Sequence, residues 1–173
     1  MHGFALNDIF KIGIGPSSSH TMGPMHAAQH FMSNLEPTLG NGSLKVSVTL
    51  HGSLAATGDG HGTPGAVTAG LVGHHYETVT LPDIESAWNT AVATGVMRSL
   101  SGHDIHFNPS HDLLRDMEPL LSHPNGMTFR AWVGDALIDE KQYFSVGGGM
   151  VEDQMGHTLS TSPLPVGDAP FPY

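Results

Sequence analysis

The chain has 173 residues and no cysteine, and its 16 acidic and 6 basic residues give a net charge of −10 with histidine neutral. This length allows one domain with its own core. The absence of cysteine excludes disulfides, thiolate catalysis and any cysteine-ligated metal site within the chain. The acidic balance argues against nucleic-acid and anionic-membrane partners, which need basic patches. Neither a secretory signal nor an apolar run of about 20 residues is visible, so we expect a cytoplasmic protein.

The first part of the chain predicts two helices with a strand between them. A short helix over residues 9–11 comes before them. Apolar residues at spacings of three and four predict a helix over residues 21–35, and apolar–polar alternation predicts a half-buried strand over residues 44–50. That strand leads into a glycine-rich loop over residues 52–63, which a helix over residues 64–71 follows. A strand that ends in a polar loop before a helix is where α/β proteins place ligands.

The second part predicts further strands, one helix and a closing hairpin. Its segments are a short strand over residues 74–80, a helix from 82 to about 101, a strand over 103–107, an irregular stretch over 108–122 and a hairpin over 127–146. Residues 154–173 are rich in Ser, Thr, Pro and Gly without periodicity, which predicts a tail or linker. The whole predicts a mixed α/β fold, with three helices packed on a mixed sheet of four or five strands, in one domain over residues 1–153.

One stretch, residues 13–24, concentrates three glycines, two prolines, four hydroxyl side chains and one histidine. It enters a predicted helix, where free backbone N–H groups and the positive dipole end favour a carboxylate or phosphate. We therefore take Ser17, Ser18, Ser19 and Thr21 as candidate carboxylate-binding residues. The alternative is an N-capped helix after a tight turn, for which a single serine or threonine is enough.

A family resemblance begins in this stretch. Residues 10–25, which read FKIGIGPSSSHTMGPM, closely resemble the opening of the bacterial iron–sulfur L-serine dehydratases. Residues 52–63, 123–127 and 143–149 resemble the same family in the same order, and the likeness runs from about residue 7 to about residue 153. It implies the N-terminal, or beta, domain of an L-serine ammonia-lyase, which converts L-serine to pyruvate and ammonia by α,β-elimination. It also implies a fold similar to the regulatory domains of some phosphoglycerate dehydrogenases.

The same resemblance implies what completes the enzyme. A [4Fe–4S] cluster on a catalytic domain outside this chain would bind the serine hydroxyl, so this chain would bind no cofactor and be an inactive fragment by itself. Residues 154–173 would lead toward that domain, and we expect the natural protein to continue beyond Tyr173. An exposed face for this partner also leads us to expect a homo-oligomer.

His61 is the candidate catalytic base. It lies among Gly58, Gly60 and Gly62, so little side-chain bulk screens it, and an imidazole accepts a proton near neutral pH. Taken alone, the residues favour a solvated loop histidine. The resemblance reverses that preference through the family pattern Gly-His-x-Thr, whose last position, Thr63, is a candidate substrate-binding residue. Some relatives carry a second histidine where Gly62 stands.

The remaining candidates each have a structural alternative. His20 either binds the substrate carboxylate, positions His61, or bonds to a backbone carbonyl at the helix start. His123 and Asn125 lie in a turn signal, so they either reach the substrate or hold the loop. Ser145, before three glycines, is either part of a ligand-binding edge or of a flexible strand exit.

Other functions are less well supported by the residues. The histidine pairs 26/30, 74/75 and 103/106 occur without a His-Glu-x-x-His pattern, so we predict no metal site. No Gly-x-Ser-x-Gly sequence indicates a hydrolase, and no Gly-Lys-Ser/Thr sequence indicates a nucleotide loop. The alternative from another class is a regulatory module that binds L-serine or another small carboxylate and has no catalytic base.

Overall fold

A computed structural model describes residues 14–36 and 43–159 of the chain. The helix predicted over residues 9–11 and most of the tail lie outside these residues. The strands are β1 (Leu44–His51), β2 (Val96–Arg98), β3 (Asp104–His106), β4 (Leu113–Asp116), β5 (Gly126–Val133), β6 (Ala136–Gly147) and β7 (Met150–Asp153). The helices are α1 (Gly23–Leu35), α2 (Gly52–Thr57), α3 (Thr63–Val72), α4 (Leu81–Thr94) and α5 (Pro109–Asp112). A one-turn π-helix spans Ser18–Met22 and a 3₁₀ turn spans Asp59–His61.

The strands form one mixed sheet in the order β2-β3-β1-β5-β6-β7, with β4 also paired to β1. β1 pairs antiparallel with β5 along one edge and parallel with β3 and β4 along the other. The prediction that β1 is half-buried is wrong, because Ser47 and Thr49 on its polar side are buried as well. Their register partners on the neighbouring strands, Arg130 and Leu114, carry larger side chains that flank them.

The longer helices cover one face of the sheet in succession. α1 packs on β5, β6 and β7, α3 packs on α1, and α4 packs on α3. Phe31 of α1 meets Phe129 of β5 with ring centroids 5.3 Å apart, which anchors the helix to the centre of the sheet. α3 approaches α1 closely because Gly70 has no side chain at the contact. A Cβ there would lie 2.4 Å from the Met25 carbonyl oxygen. None of the described helices is long and apolar enough to cross a membrane.

One strand and one helix end predicted from the sequence are wrong. Residues 74–80 form a turn and not a strand, because the N–H groups of Thr78 and Val79 both donate to the His75 carbonyl, at 3.1 and 2.9 Å. The helix predicted to reach residue 101 ends at Thr94. Gly95 takes a φ of 68° there and its N–H closes the last turn on the Ala91 carbonyl, so the chain leaves the helix axis and enters β2.

Three further segments are more ordered than predicted. The stretch over 108–122 holds α5 and β4, which forms because Leu113 and its neighbours pair with the second half of β1. The glycine loop over 52–63 is α2 and the 3₁₀ turn. After the glycines at 147–149 reverse the chain, β7 adds a strand to β6.

The remaining predicted elements agree with the structure. The helices near 21–35 and 64–71, the strands near 44–50 and 103–107 and the closing hairpin are all present, and the mixed α/β fold is confirmed. The predicted number of elements is too low, because the described residues form five α-helices and seven strands. The described beginning of the predicted tail turns back on β7, where the N–H of Leu159 donates to the Val151 carbonyl at 2.8 Å. The likeness to dehydrogenase regulatory domains stays a prediction.

Candidate active site

The site lies where β1 ends. His51 is the last residue of the strand and Gly52 takes a φ of 53°, which turns the chain directly into α2. A side chain at Gly52 would be strained by that φ, and its Cβ would lie 2.6 Å from the Pro124 carbonyl oxygen. The carboxyl end of a central strand is thus brought against the turn at residues 123–126.

The serine-rich stretch meets the same place as a π-helical turn. The Ser17 carbonyl accepts from the N–H groups of both Thr21 and Met22, at 2.9 and 3.3 Å, and the Ser17 hydroxyl accepts from the His20 N–H at 3.2 Å. Single π-helical turns are frequent at functional sites. Here the turn holds Ser17, Ser18, Ser19 and His20 partly exposed.

Two threonines tie this turn to the segment that carries His61. Thr21 Oγ1 donates to the His61 carbonyl at 2.8 Å, and Thr63 Oγ1 donates to the His20 carbonyl. The second tie has a local cause. Pro24 stands four residues after His20 and has no N–H, so it cannot supply the usual helical donor.

His20 is held between two hydroxyl groups. Its Nδ1 lies 2.9 Å from Ser19 Oγ and its Nε2 lies 3.1 Å from Ser53 Oγ. Burial lowers the pKa of His20, the neighbouring His61 lowers it further, and a hydrogen bond with Ser53 opposes them. A neutral imidazole between two hydroxyls both donates and accepts, so His20 serves here as a polar link and not as a fixed cation.

His61 is held differently, by one backbone carbonyl. Its Nδ1 lies 2.9 Å from the carbonyl oxygen of Thr57, at the end of α2, where helical carbonyls lack an intrahelical partner. A carbonyl only accepts, so Nδ1 carries the proton of the neutral ring and Nε2 carries the basic lone pair. The centroids of the His61 and His20 rings are 4.9 Å apart.

The turn at residues 123–126 joins the site through its backbone. The Ser53 N–H donates to the Pro124 carbonyl at 2.9 Å, and the Asn125 N–H donates to His123 Nδ1 at 3.1 Å. His123 thus closes the turn on itself, which is the loop-holding alternative for this residue. Its part in substrate binding stays a prediction.

Ser145 supports that turn from behind. Its N–H donates to the Asn125 carbonyl at 3.0 Å, and its carbonyl accepts from Asn125 Nδ2 at 3.2 Å. The Ser145 hydroxyl is fully buried, has no hydrogen-bond partner in the described part of the chain, and lies beside Gly23, where a Cβ would be 2.0 Å from it. Its contacts with Asn125 are therefore made by backbone groups, while its hydroxyl faces the start of α1.

The candidate residues therefore come together from four separate stretches of chain, at residues 17–21, 61–63, 123–125 and 145, which hydrogen bonds connect. Among them, Thr21 and Thr63 are buried and bond to backbone carbonyls, whereas Ser17 to His20 and His61 stay partly exposed. Sequence reasoning missed Ser53 and Thr57, the direct partners of the two histidines. The position of Ser53, one residue after the glycine at the end of a buried strand, was the signal for it.

The residues that the structure describes do not form a site for a metal cluster. The chain has no cysteine, and no three His, Asp or Glu side chains among residues 14–36 and 43–159 are placed to hold a metal ion. The [4Fe–4S] cluster that the resemblance implies would have to be held elsewhere in the enzyme.

Comparison with known proteins identifies the family. The family model described as serine dehydratase beta chain matches residues 5–156. The chain belongs to the serine dehydratase beta chain family. Similar curated proteins of this family include the L-serine dehydratase of Streptomyces coelicolor, which is 44% identical over 150 residues. L-serine dehydratase TdcG of Escherichia coli is 38% identical over 161 residues, and the L-serine dehydratase of Helicobacter pylori is 39% identical over 152.

The coverage of these alignments is unequal. They cover 85%, 90% and 87% of this chain but only 33%, 36% and 33% of the three relatives, in the same order. The chain therefore spans about a third of the length of the family members that it matches.

Proposed function

We propose that this chain supplies the base and the carboxylate-binding loop of an L-serine ammonia-lyase, which is completed by a cluster-bearing portion outside it. The observation that carries the proposal is the pairing of His61 Nδ1 with the Thr57 carbonyl at 2.9 Å. That bond leaves Nε2 as the proton acceptor on a partly exposed ring, 4.9 Å from a second histidine. Relatives named L-serine dehydratase supply the substrate and reaction class.

In the proposed reaction, Nε2 of His61 takes the α-proton of L-serine. The electron pair left on Cα forms the Cα–Cβ double bond and expels the β-hydroxyl, which takes up one proton and leaves as water, so that the α-proton gained by His61 is balanced by the proton that the water carries away. The 2-aminoacrylate that remains tautomerises to an imine, and water hydrolyses this to pyruvate and ammonia. The α-proton is weakly acidic, so the base must be positioned within hydrogen-bond reach of it.

The serine turn holds the substrate carboxylate in this proposal. Ser17, Ser18 and Ser19 present hydroxyls at the entrance to α1, and neutral His20 orients the Ser19 hydroxyl, because its two ring nitrogens bond to Ser19 and Ser53. Thr21 and Thr63 act indirectly, because each bonds to the backbone of a histidine and so sets the distance between the two rings. Activation of the leaving hydroxyl belongs to the part of the enzyme outside this chain.

The decisive experiment replaces His61 in the complete enzyme. His61→Asn should lower turnover of L-serine by about 10²- to 10⁴-fold, the range for loss of a general base, and abolish exchange of the α-proton with D₂O, while the cluster absorbance stays unchanged. His106→Asn, at an exposed histidine of β3, is the matched control. Turnover retained in His61→Asn would show that His61 is not the base.

A regulatory small-carboxylate module is the second candidate. The observation that favours it is that the whole hydroxyl–histidine network closes within this one chain. A calorimetric titration of L-serine into this chain, with D-serine as control, separates the two functions. Stereoselective binding together with full turnover in His61→Asn would establish the regulatory module.

A further inference from the structure

A groove of about 410 Å³ lies beside the site, between the first turns of α3 and α4. Pro64 forms one wall, and Ile84 and Trp88, one helical turn apart on α4, form the other. The walls come together because α3 has a glycine at residue 65, where a Cβ would lie 3.0 Å from Ile84 Cγ2. Gly62, which directly follows His61, lines the same groove and has open space above its Cα.

The groove does not match the proposed substrate. L-serine has three carbons and a charged or polar group on each, so it offers no surface for a tryptophan, an isoleucine and a proline. Apolar side chains that line an open groove are more typical of contact with another protein segment than with a small polar metabolite. Trp88 is only partly buried and is the type of residue that dominates the binding energy of interfaces.

We propose that this groove docks the cluster-bearing portion of the enzyme, through an apolar side chain with a basic residue beside it. This inference rests on the proposed function, since it concerns the portion that completes the same site. The chain spans about a third of its relatives, and in the proposed function the portion that completes the site has to lie close to His61. The groove is an apolar surface that adjoins His61 through Gly62 and Asp59.

The charges around the groove give the chemistry of the docked segment. Arg115 lines the groove but already pairs with Asp59, with Nη2 and Oδ1 2.6 Å apart. Glu85, on the exposed side of α4, adds a further negative charge to the rim. The chain as a whole carries −10, so a basic residue on the partner is complementary and steers the encounter.

Docking there has a consequence for the reaction. A segment seated on Pro64 and Trp88 would cover Gly62 and remove water from the turn that bears His61. Exclusion of water strengthens the interactions of the site and protects reactive intermediates from side reactions. The groove would thus link assembly of the enzyme to the environment of its base.

Hydrogen exchange tests the docking without relying on activity. We would compare this chain alone with the complete enzyme. Peptides covering residues 59–65 and 81–88 should exchange at least tenfold more slowly in the complete enzyme, because short exposed turns and helix starts open readily by local fluctuation and a docked segment would hold them closed. Peptides covering residues 128–133 serve as the comparison, because they belong to β5 and do not line the groove. They contain Trp132, the tryptophan used below as a control. Equal exchange of the groove peptides in both samples overturns the proposal.

Substitutions provide a second, matched test. In the complete enzyme, Trp88→Ala should return the exchange of residues 59–65 to the rate of this chain alone and lower kcat/KM about tenfold or more, whereas Trp132→Ala should do neither. Glu85→Lys leaves the apolar walls in place and should weaken docking through charge repulsion, so it decides the matter if Trp88→Ala does not fold. Normal protection of the groove in both Trp88→Ala and Glu85→Lys overturns the proposal.

The outcomes separate this proposal from the proposed function. An enzyme that does not turn over L-serine but protects the groove peptides refutes the function and supports the docking. An enzyme that depends on His61 but leaves the groove peptides unprotected refutes the docking alone. Protection that rises with the concentration of this chain by itself would assign the groove to a second copy, and would also overturn the proposal.

Discussion

The two histidine-bearing segments of the site meet within 4.9 Å, yet the fold holds them in opposite ways. His20 has a hydroxyl on each ring nitrogen and a pKa lowered by burial. His61 has one ring nitrogen fixed by a backbone carbonyl and the other available, in a turn flanked by glycines. The same residue type therefore becomes a polar link in one segment and a candidate base in the other, and the neighbours of each ring decide which.

Replacing each of the two histidines in turn gives the largest expected effect. In the complete enzyme, His20→Asn should reduce kcat about tenfold or less and act mainly on KM, because Asn keeps a donor and an acceptor for Ser19 and Ser53. His61→Asn should cost at least tenfold more in kcat, since Asn cannot accept the α-proton. Steady-state kinetics of both variants measure the difference. A greater loss of kcat in His20→Asn would mean that the assignment of the two roles is reversed.

The tie between the segments gives the next effect, on stability. Thr63→Val removes the hydroxyl that donates to the His20 carbonyl, and should lower the free energy of unfolding by about 1–3 kcal/mol, the cost of leaving a partly buried acceptor without this donor. Chemical denaturation of this chain measures it.

Thr68→Val is the matched control for that change. Thr68 is equally buried and its hydroxyl donates to the Pro64 carbonyl at 2.8 Å, but this bond lies within one helix, where the carbonyl also has its backbone donor. We expect a loss below about 1 kcal/mol. Equal losses in the two variants would show that the tie across segments adds nothing beyond an ordinary hydroxyl contact.

The sequence predicted the functional residues of these two segments better than their local structure and contacts. Glycines, hydroxyls and histidines marked both as functional, and the strand before residue 52 placed one of them at a sheet edge. The sequence did not predict that the glycine segment is helical, because Gly58, Gly60 and Gly62 have low helix propensity, yet local backbone bonds such as that from the Gly58 N–H to the Leu54 carbonyl close its turns. Nor did it identify Ser53 as the partner of His20, since that contact joins residues 33 positions apart. Hydrophobic periodicity in a sequence indicates which residues are buried, whereas a pairing such as that of His20 with Ser53 depends on how distant segments pack together.

Titration of three partly or fully buried histidines gives a smaller effect, which depends on pH. Burial lowers the pKa values of His20, His30 and His51 below the ordinary value of about 6.5 that they have in the unfolded chain. Below pH 6.5 the unfolded state therefore binds more protons than the folded state, so the free energy of unfolding decreases as pH falls from about 6.5 toward 5.

Thermal unfolding of this chain across that window measures the dependence. The His30→Gln variant should lose part of the slope between pH 6.5 and 5, because Gln does not titrate and retains a polar group near Tyr143. Stability that rises as pH falls in this range would mean that partners raise the pKa values of these histidines in the folded chain, against the effect of burial.

The smallest effect concerns the pKa of His20 alone. Two causes lower it, burial first and the neighbouring His61 second. Removing the second cause in His61→Gln should raise the pKa of His20 but leave it below about 6.5, because burial remains. An NMR titration of ¹⁵N-labelled imidazoles in this chain measures the shift, with His106→Gln as the control that should leave it unchanged. An unchanged His20 pKa in His61→Gln would mean that the two rings, though 4.9 Å apart, titrate independently, and that His20 is tuned by its own pocket and hydroxyl partners.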